Sequence, residues 1–264
     1  MKGMMLHCGG KEAMLADLAA VPQPPATRTW FPVSYVDVVK HVEEKIEQVL
    51  DREIVNRQLG LGRQGRQMFG LFTMDMGDDQ TGLSIGIRQS YDKSIALGLC
   101  CGAQVFVCDN LCFSGSSVRI VRKNTRNVWT DFTVLVEEAM DHATQDYSHM
   151  KSDLAVLKAA GCTPRHGAEI IGLAQYENVL APQQATVAMQ DWKRPRFVDF
   201  SRKNLWSLYN CFTQALKRGQ PGRVMDSFPQ VHRFFEQRVE EMMIGEEAED
   251  IMERVENNQE ADKS

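Results

Sequence analysis

The sequence has no apolar run that approaches the roughly 18 residues needed for a membrane-spanning helix. A short apolar patch near the N-terminus is interrupted by His7, Lys11, Glu12 and Asp17, so a secretory signal peptide is not expected either. Hydrophobic residues make up 43% and charged residues 25%, which is an ordinary globular composition. We therefore expect a cytoplasmic protein without a membrane partner.

The chain also has no CxxC pair among its seven cysteines, and seven is an odd number. Four of them, Cys100, Cys101, Cys108 and Cys112, fall within apolar, strand-like sequence. A disulfide framework fits this pattern poorly. Reduced and mostly buried thiols fit it well.

The common catalytic signatures are absent as well: there is no GxxxxGK[ST] phosphate loop, no HExxH and no GxSxG. The Gly-rich segment 59–66 follows no convincing strand and opens no helix, so it predicts a mobile loop carrying Arg63 and Arg66 rather than a nucleotide cradle. We assign no catalytic residue, no cofactor and no metal, and we favour a protein that is not an enzyme.

Charge is unevenly distributed along the chain. Residues 236–264 contain eleven acidic residues against Arg238, Arg254 and Lys263, a net charge of −8 within a total of −5. The preceding residues 1–235 are therefore mildly basic, at +3. Such an acidic C-terminal tail competes for a basic patch, recruits a protein partner, or simply solubilises a fraying helix end.

The order of elements predicts an α+β fold, with an antiparallel β-meander preceded by one helix and followed by a helical half. A Pro-rich stretch ends a flexible N-terminal arm, 1–29. One helix follows from Ser34 to about residue 50, capped by Ser34 or Asp37. We expect a single domain, 30–235, that is sheet-rich over 52–128 and helical over 130–235, before the acidic tail, 236–264.

Periodicity and turn signals place the individual elements. Strands are predicted at 66–76, 82–91, 103–115 and 116–125, with short links that favour antiparallel pairing. Helices are predicted at 130–160, 166–177, 182–191, 203–217 and from about 224 into the tail.

Two stretches resemble a known family. They are Gly86-Ile87-Arg88-Gln89-Ser90-Tyr91-Asp92-Lys93-Ser94 with the following Val105-Phe106-Val107-Cys108-Asp109-Asn110-Leu111, and Leu205-Trp206-Ser207-Leu208-Tyr209-Asn210-Cys211-Phe212-Thr213. They are similar to the phage/plasmid-like proteins grouped as the domain of unknown function 932 family. The resemblance implies a mobile-element context, and the host-cell cytoplasm if a phage encodes the chain. No established activity comes with it.

The first of these motifs has two interpretations. Arg88, Ser90, Asp92 and Ser94 alternate, so on a continuous strand their side chains would share one face that could bind phosphates or a partner. Alternatively, Asp92 and Ser94 satisfy the backbone of a turn and Arg88 pairs with Asp92, which is the interpretation we favour.

Two other groups are weighed as reactive sites, and we favour a structural role for the first and a solvated helix face for the second. Cys108 precedes Asp109 and Asn110, but no histidine in nearby sequence would activate its thiol. His142, Asp146 and His149 share one helix face, yet HxxxDxxH is not a recognised zinc motif and its neighbours are polar.

Basic residues interleaved with aromatic residues are typical of single-stranded nucleic acid binding, because cations track phosphates while rings stack on bases. The chain offers several such groups, and we predict a nucleic-acid-binding set that consists of Arg88, Arg119, Arg122, Lys123, Arg126, Trp129, Lys193, Arg194 and Arg196. A body charge of only +3 weighs against a dedicated DNA binder.

These observations lead to two functional hypotheses. The first is a non-enzymatic phage or plasmid accessory protein that binds single-stranded nucleic acid, such as single-stranded DNA, in recombination or replication. Homo-oligomerisation is compatible with this hypothesis. The second is a protein-binding effector whose acidic tail engages a host or phage protein and so modulates a host factor or defence system.

Overall fold

A computed structural model describes residues 10–77, 80–105, 110–112, 119–217, 219 and 224–244 of the chain. Within these ranges the strands form one antiparallel sheet, with helices before and after it. The predicted α+β fold, an antiparallel meander with a helical half behind it, is confirmed.

The strands are β1 (Lys11–Glu12), β2 (Ile54–Gly62), β3 (Gln67–Met74), β4 (Thr81–Ser90), β5 (Leu97–Val105), β6 (Asn110–Cys112) and β7 (Arg119–Arg122). The sheet runs in the order β1-β2-β3-β4-β5-β6. β6 pairs with residues 103–105 of β5 and β7 with residues 97–100, so the two short strands follow each other along one edge of β5.

The helices are α1 (Leu15–Ala20), α2 (Tyr35–Lys45), α3 (Val128–Ala159), α4 (Pro164–Tyr176), α5 (Pro182–Lys193), α6 (Leu205–Leu216) and α7 (Val224–Ile244). A π-helical turn, Ile46–Leu50, extends α2. The Ser34 hydroxyl caps α2 by accepting a hydrogen bond from the Asp37 backbone N–H at 3.3 Å, as predicted. The five helices predicted after residue 130 are all confirmed, with ends that shift by a few residues. None of the helices in the described ranges is both long enough and apolar enough to span a bilayer.

The two faces of the sheet differ in character. Register places Leu59, Gly70, Ile87 and Leu99 in one row across four strands, and this apolar face belongs to the main core. The opposite face carries buried polar side chains: the Thr73 hydroxyl lies 3.1 Å from that of Ser84 and donates to Gln104 Oε1 at 2.5 Å.

Helix α3 joins the sheet to the helical half. On its sheet side, Tyr147 Oη donates to the Thr81 carbonyl at 2.9 Å and lies 2.9 Å from the Thr81 hydroxyl. Buried apolar residues of β2 to β5 and of helices α1 to α7 form one cluster. The helical half is therefore packed onto the same core as the sheet.

Several sequence predictions differ from the structure, beginning with the Gly-rich segment. Residues 59–62 of the expected Gly-rich loop belong to β2, and only 63–66 form a hairpin tip, with positive φ at Arg63, Gln64 and Gly65. Glycines conceal this strand because they interrupt the alternation of apolar side chains on which strand prediction rests.

The expected flexible arm is also partly built into the fold. β1 pairs with residues 60–61 of β2, and Leu18 of α1 is 2% exposed. At the other end, the first residues of the acidic tail continue α7, where Val239 and Met242 pack against the core. The expected strand 103–115 splits into the end of β5 and β6, while 106–109 and 113–118 lie outside the described residues, as do residues 245–264 of the tail.

Two glycines of helix α4 provide a matched test of how this helix packs against Trp192 of α5. A Cβ built at Gly167 would lie 2.4–2.6 Å from three atoms of the Trp192 ring, whereas one at Gly172 would meet nothing within 4 Å. Trp192 cannot easily retreat, because it is 2% exposed and its Nε1–H donates to the Pro164 carbonyl at 3.0 Å. We expect Gly167→Ala to lower the free energy of unfolding by about 1–2 kcal/mol, because overpacking outweighs the gain in helix propensity.

The control is Gly172→Ala, which should raise the free energy of unfolding by about 0.5–1 kcal/mol through helix propensity alone. Urea denaturation of both variants measures the difference. Equal effects of the two substitutions would contradict the packing described for Trp192.

Candidate nucleic-acid interface

The segment that leads into α2 lies against the end of β7. The Phe31 backbone N–H donates to the Asn124 carbonyl at 2.7 Å, and the Thr27 N–H donates to the Trp30 carbonyl at 2.8 Å. Asn124 is buried, two residues beyond β7. These hydrogen bonds hold the half-buried rings of Trp30 and Phe31 beside residues 122–126.

Each of these two rings is paired with a cation from another segment. The Lys93 Nζ lies 5.1 Å from the centroid of the Trp30 ring, and the Arg126 guanidinium carbon lies 5.8 Å from that of Phe31. Lys93 comes from the turn between β4 and β5, and Arg126 from the link between β7 and α3. Three separate parts of the chain therefore meet in one surface of alternating cations and rings.

We name this surface the basic–aromatic edge and define it by six residues. They are Trp30, Phe31, Lys93, Arg122, Lys123 and Arg126. Its four cationic residues are exposed and its two aromatic residues are half-buried. Arg122, Lys123 and Arg126 belong to the set predicted from the sequence. The other three were missed, although the adjacent aromatics Trp30-Phe31 after a Pro-rich stretch were a visible signal.

The turn that carries Lys93 is held by its polar neighbours. The Ser94 N–H donates to Asp92 Oδ1 at 3.0 Å, the Ser94 hydroxyl donates to the same oxygen, and the Gln67 side chain donates to the Ser94 hydroxyl at 2.7 Å. The favoured turn interpretation of Asp92 and Ser94 is thereby confirmed. Partial burial favours a higher pKa for Asp92, but the hydrogen bonds from Ser94 and Ser90 and the charge of Arg63, 3.5 Å away, lower that pKa overall.

A stacked tyrosine pair anchors the same turn to α2. The rings of Tyr35 and Tyr91 lie 3.8 Å apart at 7°, and Tyr35 Oη donates to the Arg66 carbonyl at 2.8 Å while accepting from the Tyr91 N–H at 3.1 Å. Burial raises the pKa of both phenols, so both stay neutral at physiological pH. The pair fixes the turn and the β2–β3 hairpin tip relative to α2.

Arg88 does not belong to the exposed surface. It is 6% exposed and its guanidinium Nη1 lies 3.6 Å from Asp226 Oδ2 in the first turn of α7. The expected pairing with Asp92 is therefore wrong, because the strand ends at Ser90 and Asp92 turns toward Arg63. Arg88 is placed to hold α7 against the sheet rather than to meet a ligand.

Trp129 lies at the start of α3 and packs inward. Its ring contacts those of His41, at 5.4 Å between centroids, and Phe132, at 6.2 Å. Burial lowers the pKa of His41, as does the nearby charge of Lys45. For Arg119 the structure describes only the backbone, in β7. Its role in nucleic-acid binding therefore stays a prediction.

The second basic cluster, Lys193, Arg194 and Arg196, begins at the last residue of α5 in the helical half. Arg196 Nε donates to Asp191 Oδ1 at 2.8 Å, so it neutralises a largely buried carboxylate. Beside the cluster, Lys203 lies 3.9 Å over the Trp192 ring and donates to the Trp192 carbonyl. Arg196 and Lys203 thus contribute to the packing of the helical half itself.

The structure bears differently on the cysteines and on the group formed by His142, Asp146 and His149. Cys100, Cys101, Cys162 and Cys211 are buried and form no disulfide with one another, as expected, and burial raises the pKa of Cys162 to about 11 and of Cys211 to about 12. Cys108 lies outside the described residues. His142, Asp146 and His149 do not belong to the group of metal-ligating side chains that the described part of the chain brings together.

No family model, curated protein or solved structure matches the chain. The resemblance to the domain of unknown function 932 family therefore stays a prediction from its two motifs.

Within the second cluster, the pairing of Arg196 with a buried carboxylate can be tested. Arg196→Met leaves the Asp191 carboxylate, 11% exposed, without its guanidinium, and we expect it to lower the free energy of unfolding by about 1–2 kcal/mol. Arg194→Met is the matched control, since Arg194 is an exposed arginine of the same cluster outside the Arg196–Asp191 pair, and it should stay within about 0.5 kcal/mol of the parent. Chemical denaturation measures both, and equal stabilities would show that the Arg196–Asp191 pair contributes nothing.

Proposed function

We propose that this chain is a non-enzymatic accessory protein of a phage or plasmid that binds single-stranded nucleic acid along the basic–aromatic edge. The observation that carries the proposal is the pairing of Lys93 with Trp30 and of Arg126 with Phe31. Two rings and their cations, supplied by three segments, form a surface suited to stacking bases and tracking phosphates.

The energies favour a surface that exchanges its internal contacts for a ligand. A cation–π pair at an exposed site contributes about 0.5–1 kcal/mol. Stacking of a base on an aromatic side chain contributes about 1–3 kcal/mol. A base can therefore displace Lys93 from the Trp30 ring, and the released ammonium is then close to the phosphate that accompanies the base.

The support around the edge keeps the cost of ordering low. The Tyr35–Tyr91 stack and the Asp92–Ser94 hydrogen bonds fix the turn of Lys93, while the Phe31–Asn124 backbone hydrogen bond fixes the two rings. Because these groups are held before a strand arrives, less conformational entropy is lost on binding. The local concentration of charge matters more here than the net charge of the body, since phosphate contacts act at short range in salt.

Charge reversal on the edge tests the proposal. We expect Lys93→Glu/Arg126→Glu to weaken binding of a labelled single-stranded oligonucleotide and to reduce the slope of log K against log salt by about 0.7 for each phosphate that is no longer neutralised. Fluorescence anisotropy across a salt series measures both quantities. Trp30→Leu should lower affinity about 5- to 150-fold with little change in the salt slope, because it removes stacking but no charge.

The matched control is Lys193→Glu/Arg194→Glu, which applies the same charge change to exposed residues of the helical half. It should bind nearly as tightly as the parent. Each protein is compared with a chain ending at Ile244, because residues 245–264 carry eight acidic residues against two basic ones and would compete for the edge. Absence of binding with or without those residues, or equal reductions in affinity in the edge and control variants, would reject this proposal and favour a protein-binding effector.

A further inference from the structure

A second polar site lies where α7 packs against α3, and it involves none of the residues of the basic–aromatic edge. His232 Nε2 lies 3.3 Å from Asp153 Oδ2 and 3.7 Å from Glu236 Oε1. His232 is 1% exposed, whereas the side chains of Asp153 and Glu236 are 38% and 42% exposed. A buried imidazole therefore points one nitrogen toward two carboxylates at the protein surface.

The spacing of these atoms matches a shared metal ion. The three ligand atoms all lie within 4.8 Å of one another. Two ligands that each bind a tetrahedral zinc at about 2.1 Å are about 3.4 Å apart, close to both distances from His232 Nε2. One imidazole nitrogen with two carboxylate oxygens is a donor set that divalent transition metals accept.

The other imidazole nitrogen of His232 faces a tyrosine hydroxyl. His232 Nδ1 lies 3.4 Å from Tyr209 Oη, and the two rings are perpendicular. Outer hydrogen bonds of this kind orient metal-binding histidines and set their tautomer. In the tautomer whose Nδ1–H donates to Tyr209 Oη, the lone pair of Nε2 faces the two carboxylates, and a cation between them would remove that repulsion.

Space for further ligands is present beside the three side chains. A cavity of about 520 Å³ is lined by residues that include Asp153, His232, Glu236, Gln237 and Glu240. Zinc sites with three protein ligands complete their coordination with water or another small ligand, which this cavity would admit.

We propose that Asp153, His232 and Glu236 bind one divalent transition metal ion, with Zn²⁺ as its representative, and that the ion clasps α7 to α3. Asp153 and His232 are 79 residues apart in the sequence, so the metal would cross-link two elements of the helical half. Ligand binding to the folded state alone stabilises it, so metal should raise the melting temperature.

The test is a titration of the chelator-treated full chain with Zn²⁺. Calorimetry measures the binding, and the melting temperature is measured with and without the metal. We expect one saturable site and a higher melting temperature, with weaker binding of Mg²⁺, which prefers an all-oxygen shell. Asp153→Asn and Glu236→Gln should each lower the affinity about tenfold or more, an effect that even an outer-shell change can produce. Both side chains are partly exposed, so these variants keep the test valid if His232→Gln fails to fold.

Two controls remove the same kinds of group nearby. Glu240→Gln takes away a carboxylate one turn further along α7 that also lines the cavity, and His142→Ala/His149→Ala takes away exposed imidazoles of α3. Both should bind Zn²⁺ like the parent. No saturable binding, or equal affinities for the parent and Asp153→Asn, would overturn the proposal and leave His232 as a buried imidazole beside two carboxylates. Nucleic-acid binding does not enter this test, so either proposal can fail alone.

Discussion

The packing of α3 against the apolar face of the sheet is the contact on which the rest of the structure depends. This 32-residue helix is followed by the whole helical half, so an error in its placement would displace every later helix. Its buried residues recur at steps of three and four and include Phe132, Val136, Ala139, Ala143, Tyr147, Met150, Leu154 and Leu157. Burial of each large apolar side chain contributes about 1.5–3 kcal/mol. The hydrogen bonds between Tyr147 and Thr81 add a register that apolar packing alone does not specify.

Each proposed site takes its position from this helix. Residues 122–126 lead into α3, so three of the four cations of the basic–aromatic edge are positioned by where that helix begins. Asp153 lies near its other end, where α7 crosses it and brings His232 alongside. By positioning α3, the apolar face of the sheet sets the positions of both proposed sites, although its own side chains belong to neither.

The parts of the fold that the sequence revealed are those with local signals. Helices after residue 130 follow from an apolar period of three to four. Two residues mark helix starts: Ser34 through its capping hydroxyl and Pro164 through its fixed backbone φ. β2 was missed because glycines interrupt its alternation, so its identity depends on pairing with β3, a contact that a single sequence does not display. The same reason hides β1, whose two residues become a strand only against β2.

The candidate sites show the same division between local and distant information. Arg122, Lys123 and Arg126 are close in sequence, so their shared exposure was predictable. Their aromatic partners lie about 90 residues earlier, in a stretch expected to be a flexible arm, and Lys93 lies in a turn between strands. Arg88 shows the opposite error. Its charge suggested a nucleic-acid contact, but it is buried and paired with Asp226, so its role is to stabilise the fold.

Distance along α3 also keeps the two proposals separate. From Val128 to Asp153 the helix advances 25 residues, which at about 1.5 Å per residue places the proposed metal ligand about 38 Å from the start of the helix. That separation exceeds the screening length of about 8 Å in physiological salt several times. A charge introduced or removed at Asp153 is therefore too far away to change the field at Arg126, so a loss of nucleic-acid binding in an Asp153 variant would have to arise through a change in the helix itself. Protection of α3 amides from hydrogen exchange reports such a change directly, and it distinguishes altered packing of the helix from altered charge.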